Sequence, residues 1–533
     1  MASDGTSRLP HMLGAMMDTQ LDLAMLRSRV DRFYRGAEIV TATEGGLVRS
    51  TYGDVLDRAA RLAHALEAMG IGPGDPVATM CWNTQAHLEA YLAVPSMGAV
   101  LHTLNFRLPP EHIVGIVKSA ADRVILVDAS VAPVIKGIRD RLTSVERVIV
   151  IPDDYEALLA SAPGAPYPWP ELDERQAAAM CFTSGTTGEP KGVVYSHRST
   201  MLHAMSLLHA DTFAVSRTDV ILPVVPMFHV NAWGFPYAAL LTGARLVMPG
   251  PFLQPTALAN LIETERVTLA AGVPTIWLGL VEELDTNPRD TSSLRCIPCG
   301  GSAIPEQLMR DFDRVVGEGV LVHAWGMTET SPIATVAVAD MREPDAAERL
   351  RLRLRQGTPL IGIEIRLWGL DGIEAPWDGE AIGEIEVRGP WVAKNYFGGH
   401  DAERFEGGWF RTGDVATGYP DGSFQIVDRT KDVIKSGGEW ISSVELEGVI
   451  LEHPAVRESA VVARPDPKWS ERPVSFVVLR PGATLTIETL RAWLEPKLPR
   501  WWLPDDLVIV EEIPKTGTGK IDKKELRAND PGR

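Results

Sequence analysis

Apolar residues recur at helical spacing through residues 60–69, where Ala60, Leu62, Ala63, Leu66 and Met69 share one face, and 77–81 then reads as a strand. Residues 91–97 form a second helical stretch of small side chains, followed by a strand at 99–103. The runs 124–127 and 148–151 are unbroken apolar segments, as expected of strands covered on both faces. Strand–helix–strand alternation of this kind predicts parallel sheets flanked by helices. A connector follows at 161–170, punctuated by Pro163, Pro166, Pro168 and Pro170. From residue 357 onward, short strands such as 363–367 and 383–388 alternate with turns. After 428–432 the α/β texture resumes, with a helix expected at 444–452 and strands at 459–462 and 474–479. Segment 347–355, in which Leu and Arg alternate, is expected to be a solvated element before a turn rather than a basic membrane patch.

Composition narrows the function classes. In 533 residues, 70 acidic side chains against 52 basic ones leave a formal net charge of −18, which argues against a nucleic-acid binder. The hydrophobic share of 45% supplies ample core for more than one domain. Four cysteines cannot make a disulfide framework, and the C-x-x-C of Cys296 and Cys299 lacks a second ligand pair, so buried strand thiols are expected. With no signal pattern after the N-terminal Met-Ala-Ser and no membrane-length apolar run, a cytoplasmic chain without stable membrane insertion is expected.

The first chemical signal is a loop after the apolar stretch 177–182. Thr183, Ser184, Gly185, Thr186, Thr187, Gly188, Glu189, Pro190, Lys191 and Gly192 offer hydroxyl donors, glycines that let backbone wrap a polyanion, and one lysine. A phosphate loop is expected. It is not the GxxxxGK[ST] form, because Lys191 is followed by Gly192.

Further motifs follow in order: 226–229 (Pro-Met-Phe-His), 300–303 (Gly-Gly-Ser-Ala), 325–329 (Trp-Gly-Met-Thr-Glu), 409–414 (Trp-Phe-Arg-Thr-Gly-Asp), 428–435 (Asp-Arg-Thr-Lys-Asp-Val-Ile-Lys), 436–439 (Ser-Gly-Gly-Glu) and 514–520 (Pro-Lys-Thr-Gly-Thr-Gly-Lys). Together with 183–192 they make the chain resemble the acyl-adenylate-forming enzymes over nearly its whole length. Segments 223–233 and 434–442 resemble most the bacterial medium- and long-chain fatty acyl-CoA synthetases and the related methylthiopropionate-CoA ligases.

That resemblance implies an α/β fold: a large N-terminal domain of stacked α/β sheets with a small barrel-like β subdomain, and a small mobile α+β C-terminal domain. Its boundaries would be 1–427 for the adenylation domain, 428–432 for a hinge and 433–533 for the mobile domain. The implied activity is an ATP-dependent acyl-CoA synthetase working through an acyl-adenylate, with ATP, Mg²⁺ and CoA as its requirements. Lys520 would bridge carboxylate and α-phosphate, His229 would flank the acyl and thiol paths, and Glu329 with Thr183 would hold the metal. ATP or AMP would be held by Thr183, Ser184, Gly185, Thr186, Thr187, Gly188, Lys191, Gly301, Ser302, His323, Ala324, Trp325, Gly326, Thr328, Asp414, Arg429 and Lys435. Trp325 stands where many relatives have tyrosine and would stack on adenine, keeping the π-face while losing a phenol hydrogen bond. The acyl group would meet Val230, Trp233 (an aromatic gate), Gly301 and Trp440. Lys431 would be the hinge residue, with Ser436, Gly437, Gly438 and Glu439 presented for thioester formation. Relatives that dimerise through their N-terminal region resemble 12–18, which implies a homodimer. Alternative readings are a ligase for a short acid such as 3-methylthiopropionate, an enzyme loading a carrier protein, or an inactive nucleotide-binding regulatory protein.

Overall fold

The computed structural model describes residues 15–183, 190–338, 340–369, 372–437, 439–515 and 521–532. Ser184, Gly185, Thr186, Thr187, Gly188, Gly438, Lys520, the first residues of 12–18 and the side chain of Glu439 therefore lie outside the described residues.

Two helix-flanked sheets form the body. In one, strands run in the order Arg147–Ile151, Val124–Asp128, Pro76–Met80, Val100–Thr103, Ala177–Phe182 and Gly192–Ser196. All its pairings are parallel except the last, an antiparallel hairpin. The other places Leu269–Ala271, Val220–Pro223, Arg245–Met248 and Glu38–Thr43 in parallel, with Gly46–Thr51 antiparallel at the edge. Isolated bridges from Leu269 to Cys296 and Gly272 to Cys299 connect it to the strands Ile297–Cys299, Leu321–Gly326, Ile333–Val336 and Thr358–Pro359. The helix Gln85–Ser96 is apolar on nearly every side, and His87 through Ser96 are all buried. A helix hydrophobic all round belongs inside the protein.

Four antiparallel strands follow: Glu364–Trp368, Ile382–Arg388, Phe410–Gly418 and Phe424–Arg429. The last sheet pairs Glu439–Ile441, Ile434–Ser436, Ser470–Leu479 and Val456–Asp466, with Asp506–Ile509 parallel to Ser470–Leu479. The helices Ser443–Leu451 and Ile487–Leu494 pack on it around Leu446, Ile450, Leu490 and Leu494. The predicted elements recur throughout, usually longer than their apolar seeds: 60–69 lies within Tyr52–Ala68 extended by one residue, its N-terminus closed by a Thr51/Asp54 capping box.

Segment 347–355 departs from the solvated element expected. It is the helix Ala346–Leu354, and while Arg351 faces water, Arg353 and Arg355 are each only 3% exposed. Arg353 donates two bonds to Asp313 (2.7 and 2.8 Å). Arg355 reaches Asp421 (3.0 Å) and Ser423 (2.8 Å) while its guanidinium lies 3.3 Å from the Tyr419 ring centroid. Acids distant in sequence compensate these cations, which alternation along the segment could not disclose. Cys296 and Cys299 are buried, as are Cys81 and Cys181. Among the described residues no helix is long and apolar enough to cross a membrane.

Asp128 ends a fully buried strand and accepts a hydrogen bond from the Trp82 amide (2.5 Å), yet burial pushes its pKa from 3.8 up to about 6. A carboxyl raised in the folded state contributes stability that is full below the unfolded pKa and lost as pH rises through the folded one. Asp128→Asn should therefore gain on the wild type by roughly 3 kcal/mol between pH 3 and pH 7, at about 1.4 kcal/mol for each pH unit separating the unfolded and folded pKa. Melting temperatures of both proteins across that range test this; a constant difference contradicts it.

Candidate active site

One open cleft of about 270 Å³ gathers residues from all the sheets of the body. Thr183 and Lys191 stand at the two ends of the hairpin, joined by Thr183 N–H to Lys191 O (2.9 Å) and Lys191 N–H to Thr183 Oγ1 (3.3 Å). This brings a hydroxyl and an ammonium to the cleft wall. Lys191 pairs with Asp401, and its Nζ lies 5.4 Å from the Tyr396 ring centroid. Partial burial and the neighbouring Arg404 lower its pKa, while Glu329 raises it.

Glu329 lies in a short turn, Thr328–Thr330, after the strand Leu321–Gly326, and is only 4% exposed. The Tyr396 hydroxyl donates to its Oε1, and Arg404 Nη1 donates to that hydroxyl oxygen at 3.0 Å. Burial next to Glu329 raises the Tyr396 pKa, so the phenol stays a donor. Among the described residues Oε2 accepts no hydrogen bond. A single carboxylate with an open oxygen, sharing the cleft with the Thr183 hydroxyl, fits Mg²⁺, which takes one or two protein ligands and completes its shell with water and phosphate oxygens. No group of three acidic, His or Cys side chains suited to a metal occurs among the described residues.

Asp414 is 3% exposed and sits opposite Arg429 in the antiparallel register. Trp325 Nε1 donates to its Oδ2 at 3.0 Å. Arg429 Nε is 2.6 Å from Oδ1 but off hydrogen-bonding alignment, leaving Oδ1 buried without a bonded donor among the described residues. Trp325 thus spends its N–H on Asp414 within the protein. Its ring meets Phe424 edge-on (5.6 Å, 88°).

Close backbone approaches shape the floor. A Cβ on Gly300 would lie 2.4 Å from Ala324 O, and one on Gly326 1.8 Å from Pro332 O. His229, Val230 and Trp233 form the opposite wall.

The structure brings Thr183, Lys191, His229, Val230, Trp233, Gly301, Ala324, Trp325, Gly326, Thr328, Glu329 and Arg429 to this cleft, with Asp414 directly behind Trp325 and Arg429. It does not bring Ser302, His323, Lys435 or Trp440 there. Ser302 is exposed; His323 is buried behind the strand with Nδ1 3.1 Å from Leu354 O, its pKa lowered to about 4 by burial. Trp440 packs on Val415 and Val433, and the Lys435 amide donates to Glu471 (2.8 Å). Ser436 accepts from Arg472 (3.1 Å), and the Gly437 amide donates to Trp469 O (2.8 Å). Lys431 offers its carbonyl to Arg527 (2.9 Å). Sequence reasoning missed Tyr396, Arg404, Thr412 and Asp401. Thr412 lay inside the 409–414 motif without a role assigned, and the one signal of the others was position, between the motifs 325–329 and 409–414.

Residues 27–397 match the family described as AMP-binding enzyme, and 445–520 match the AMP-binding enzyme C-terminal domain. The chain belongs to the AMP-binding enzyme family. It is 43% identical over 531 residues to a medium-chain-fatty-acid–CoA ligase of Ectopseudomonas oleovorans, covering 97% of both chains. It is equally 43% identical to a 3-methylmercaptopropionyl-CoA ligase of Ruegeria lacuscaerulensis, covering 97% of this chain and 98% of the relative. Among solved structures, a Mycobacterium tuberculosis fatty acyl CoA synthetase superposes with a TM-score of 0.75 at 29% identity, covering 96% of this chain and 99% of that one.

Trp325→Phe keeps a ring but removes the donor that orients Asp414. Its affinity for AMP should fall about tenfold or more, the scale of a hydrogen bond to a charged group. Titration calorimetry with AMP measures this, and an unchanged affinity contradicts the orienting role.

Proposed function

We propose that the protein is an ATP-dependent acyl-CoA synthetase, converting a carboxylic acid, ATP and CoA into acyl-CoA, AMP and pyrophosphate. The observation that carries this reading is the open Glu329 oxygen in the cleft together with Asp414 Oδ1 directly behind its wall, which has no bonded donor among the described residues, beside Lys191, Arg404 and Arg429. A nucleoside triphosphate supplies what each lacks: ribose hydroxyls as donors for Asp414, and phosphate oxygens for the cations and for a metal held by Glu329 and Thr183. Magnesium, when bound, would neutralise phosphate charge. The acid's carboxylate oxygen attacks the α-phosphorus and pyrophosphate leaves; the CoA thiolate then attacks the acyl carbon and AMP leaves. Bringing an anion against a polyanion requires fixed cations in a shielded site. Lys191 and Arg429 are placed for that, and Lys520 takes the role of bridging carboxylate and α-phosphate on the strength of its motif.

A medium- or long-chain fatty acid is the proposed substrate, supported by the apolar wall of Val230 and Trp233, with Trp233 as gate, and by the relatives' named activities. The 3-methylmercaptopropionyl-CoA ligase, equally similar, supports a short sulfur-containing acid as the second reading. Residues 1–427 would carry ATP and acid, and 433–533 would turn about 428–432 to present Ser436–Glu439 to CoA. Supporting a working boundary there, Asp428 accepts from the Ser443 amide and hydroxyl (both 2.6 Å), and Arg527 holds Asp432 (2.6 Å). A cytoplasmic location is supported by four unpaired buried cysteines, and a homodimer by the exposure of Met16 (86%) and Met17 (90%).

The test is release of AMP and pyrophosphate with butanoate, octanoate, dodecanoate, hexadecanoate and 3-methylthiopropionate as acids. One acid class should stand out in kcat/KM, and Lys520→Ala should abolish adenylate formation while thioester formation from supplied acyl-adenylate largely survives. No AMP with any acid overturns the activity; equal loss in both half-reactions overturns the role of Lys520.

A further inference from the structure

Residues Val230, Asn231, Ala232 and Trp233 hold φ angles of 45°, 51°, 47° and 56°, and Gly234 follows at 77°. The left-handed region is disfavoured for any residue with a Cβ, and it is visited singly rather than in runs. Four such residues in succession form a left-handed turn, all of it buried. Backbone of this kind persists only where its surroundings over-determine it.

The surroundings do so from both ends. Asn83 holds the incoming chain: its Nδ2 donates to Pro223 O (2.7 Å) and Val225 O (2.8 Å), and its Oδ1 accepts from the Met227 amide (2.7 Å). The buried Tyr91 hydroxyl lies between Met227 O and Asn231 Oδ1, the latter at 3.3 Å. At the outgoing end, a Cβ on Gly234 would sit 2.7 Å from His203 Nδ1, so only glycine fits against that ring. What the turn carries is the Trp233 indole, whose tip reaches to 3.5 Å of the Cβ position on Gly300 across the cleft. The ring thus spans from the turn to the floor.

We infer that Tyr91 and Asn231 are positioning residues that hold this left-handed turn, and with it the Trp233 indole, across the acyl end of the cleft, and so set which acid chain lengths the enzyme accepts. The inference rests on the acyl-CoA synthetase reading. Two opposed effects act on the indole. Backbone strain favours release of the turn, and the Tyr91 hydroxyl opposes release. Weakening the clamp and relieving the strain must therefore move selectivity in opposite directions.

Tyr91→Phe removes the clamp and keeps the ring. Ala232→Gly leaves the clamp and relieves strain at a residue that is wholly buried with φ 47°. The readout is kcat/KM for dodecanoate over that for butanoate, with ATP and CoA saturating and melting temperature measured alongside. Tyr91→Phe should raise the ratio by roughly threefold to tenfold, the scale of one neutral hydrogen bond, and allow dodecanoate to bind before ATP in calorimetry. Ala232→Gly should lower the ratio and leave dodecanoate dependent on ATP. A ratio unchanged in both variants, or moved the same way in both, overturns the proposal, even if both lose stability. If the wild type releases no AMP with any acid, the activity reading falls and this proposal with it.

Discussion

Keeping two carboxylates, Glu329 and Asp414, out of water at the edge of an open cleft demands that each be met by donors brought from elsewhere in the chain, because an uncompensated buried charge costs several kcal/mol. Glu329 takes its donor from Tyr396, itself held by Arg404. Asp414 takes Trp325 Nε1 and stands beside Arg429. These demands tie together the hairpin that carries Lys191, the strand that carries Trp325 and the four-stranded sheet that carries Asp414 and Arg429. The cleft is where three separately built sheets satisfy one another's charges. Each carboxylate still keeps an oxygen without a bonded donor among the described residues, which is what a site made for a phosphate, a metal and a sugar requires.

Much of this is legible in local sequence. Strands at 124–127 and 148–151 and the helix at 444–452 follow from local pattern, since apolar runs act over a few residues. The motif residues Thr183, Lys191, Glu329 and Arg429 meet in one cleft because backbone register places them there. Compensation, by contrast, is non-local. Tyr396 is 67 residues from Glu329, and Asp401 is 210 residues from Lys191, so neither partner shows in any window of sequence. Arg353 and Arg355 are unreadable for the same reason, since Asp313 and Asp421 decide their burial.

The left-handed turn marks the deeper limit. Val, Ala and Trp all prefer other backbone conformations, so every local rule points away from what Val230–Trp233 adopt. Tertiary bonds from Asn83 and Tyr91, more than 130 residues earlier, override that preference. Conflicts of this sort gather at functional sites, where a strained element can be held in one arrangement and released into another. The C-terminal part is built differently. Its own cores close around Ile434, Leu446 and Phe476, and it meets the body through both an apolar contact, Trp440 and Val433 on Val415, and polar ones, Asp428 with Ser443 and Arg527 with Asp432.

The central claim is that the cleft joins a carboxylate to the α-phosphate of ATP. Its most direct test follows the carboxylate oxygen. Dodecanoate labelled with heavy oxygen in both carboxyl positions is incubated with the protein, ATP, Mg²⁺ and CoA, and the nucleotide and phosphate products are analysed by mass spectrometry. Attack on the α-phosphorus leaves one labelled oxygen in AMP when the thiol displaces it, and none in pyrophosphate. Label appearing in inorganic phosphate with ADP as the nucleotide product, or AMP formed without label, would contradict the account.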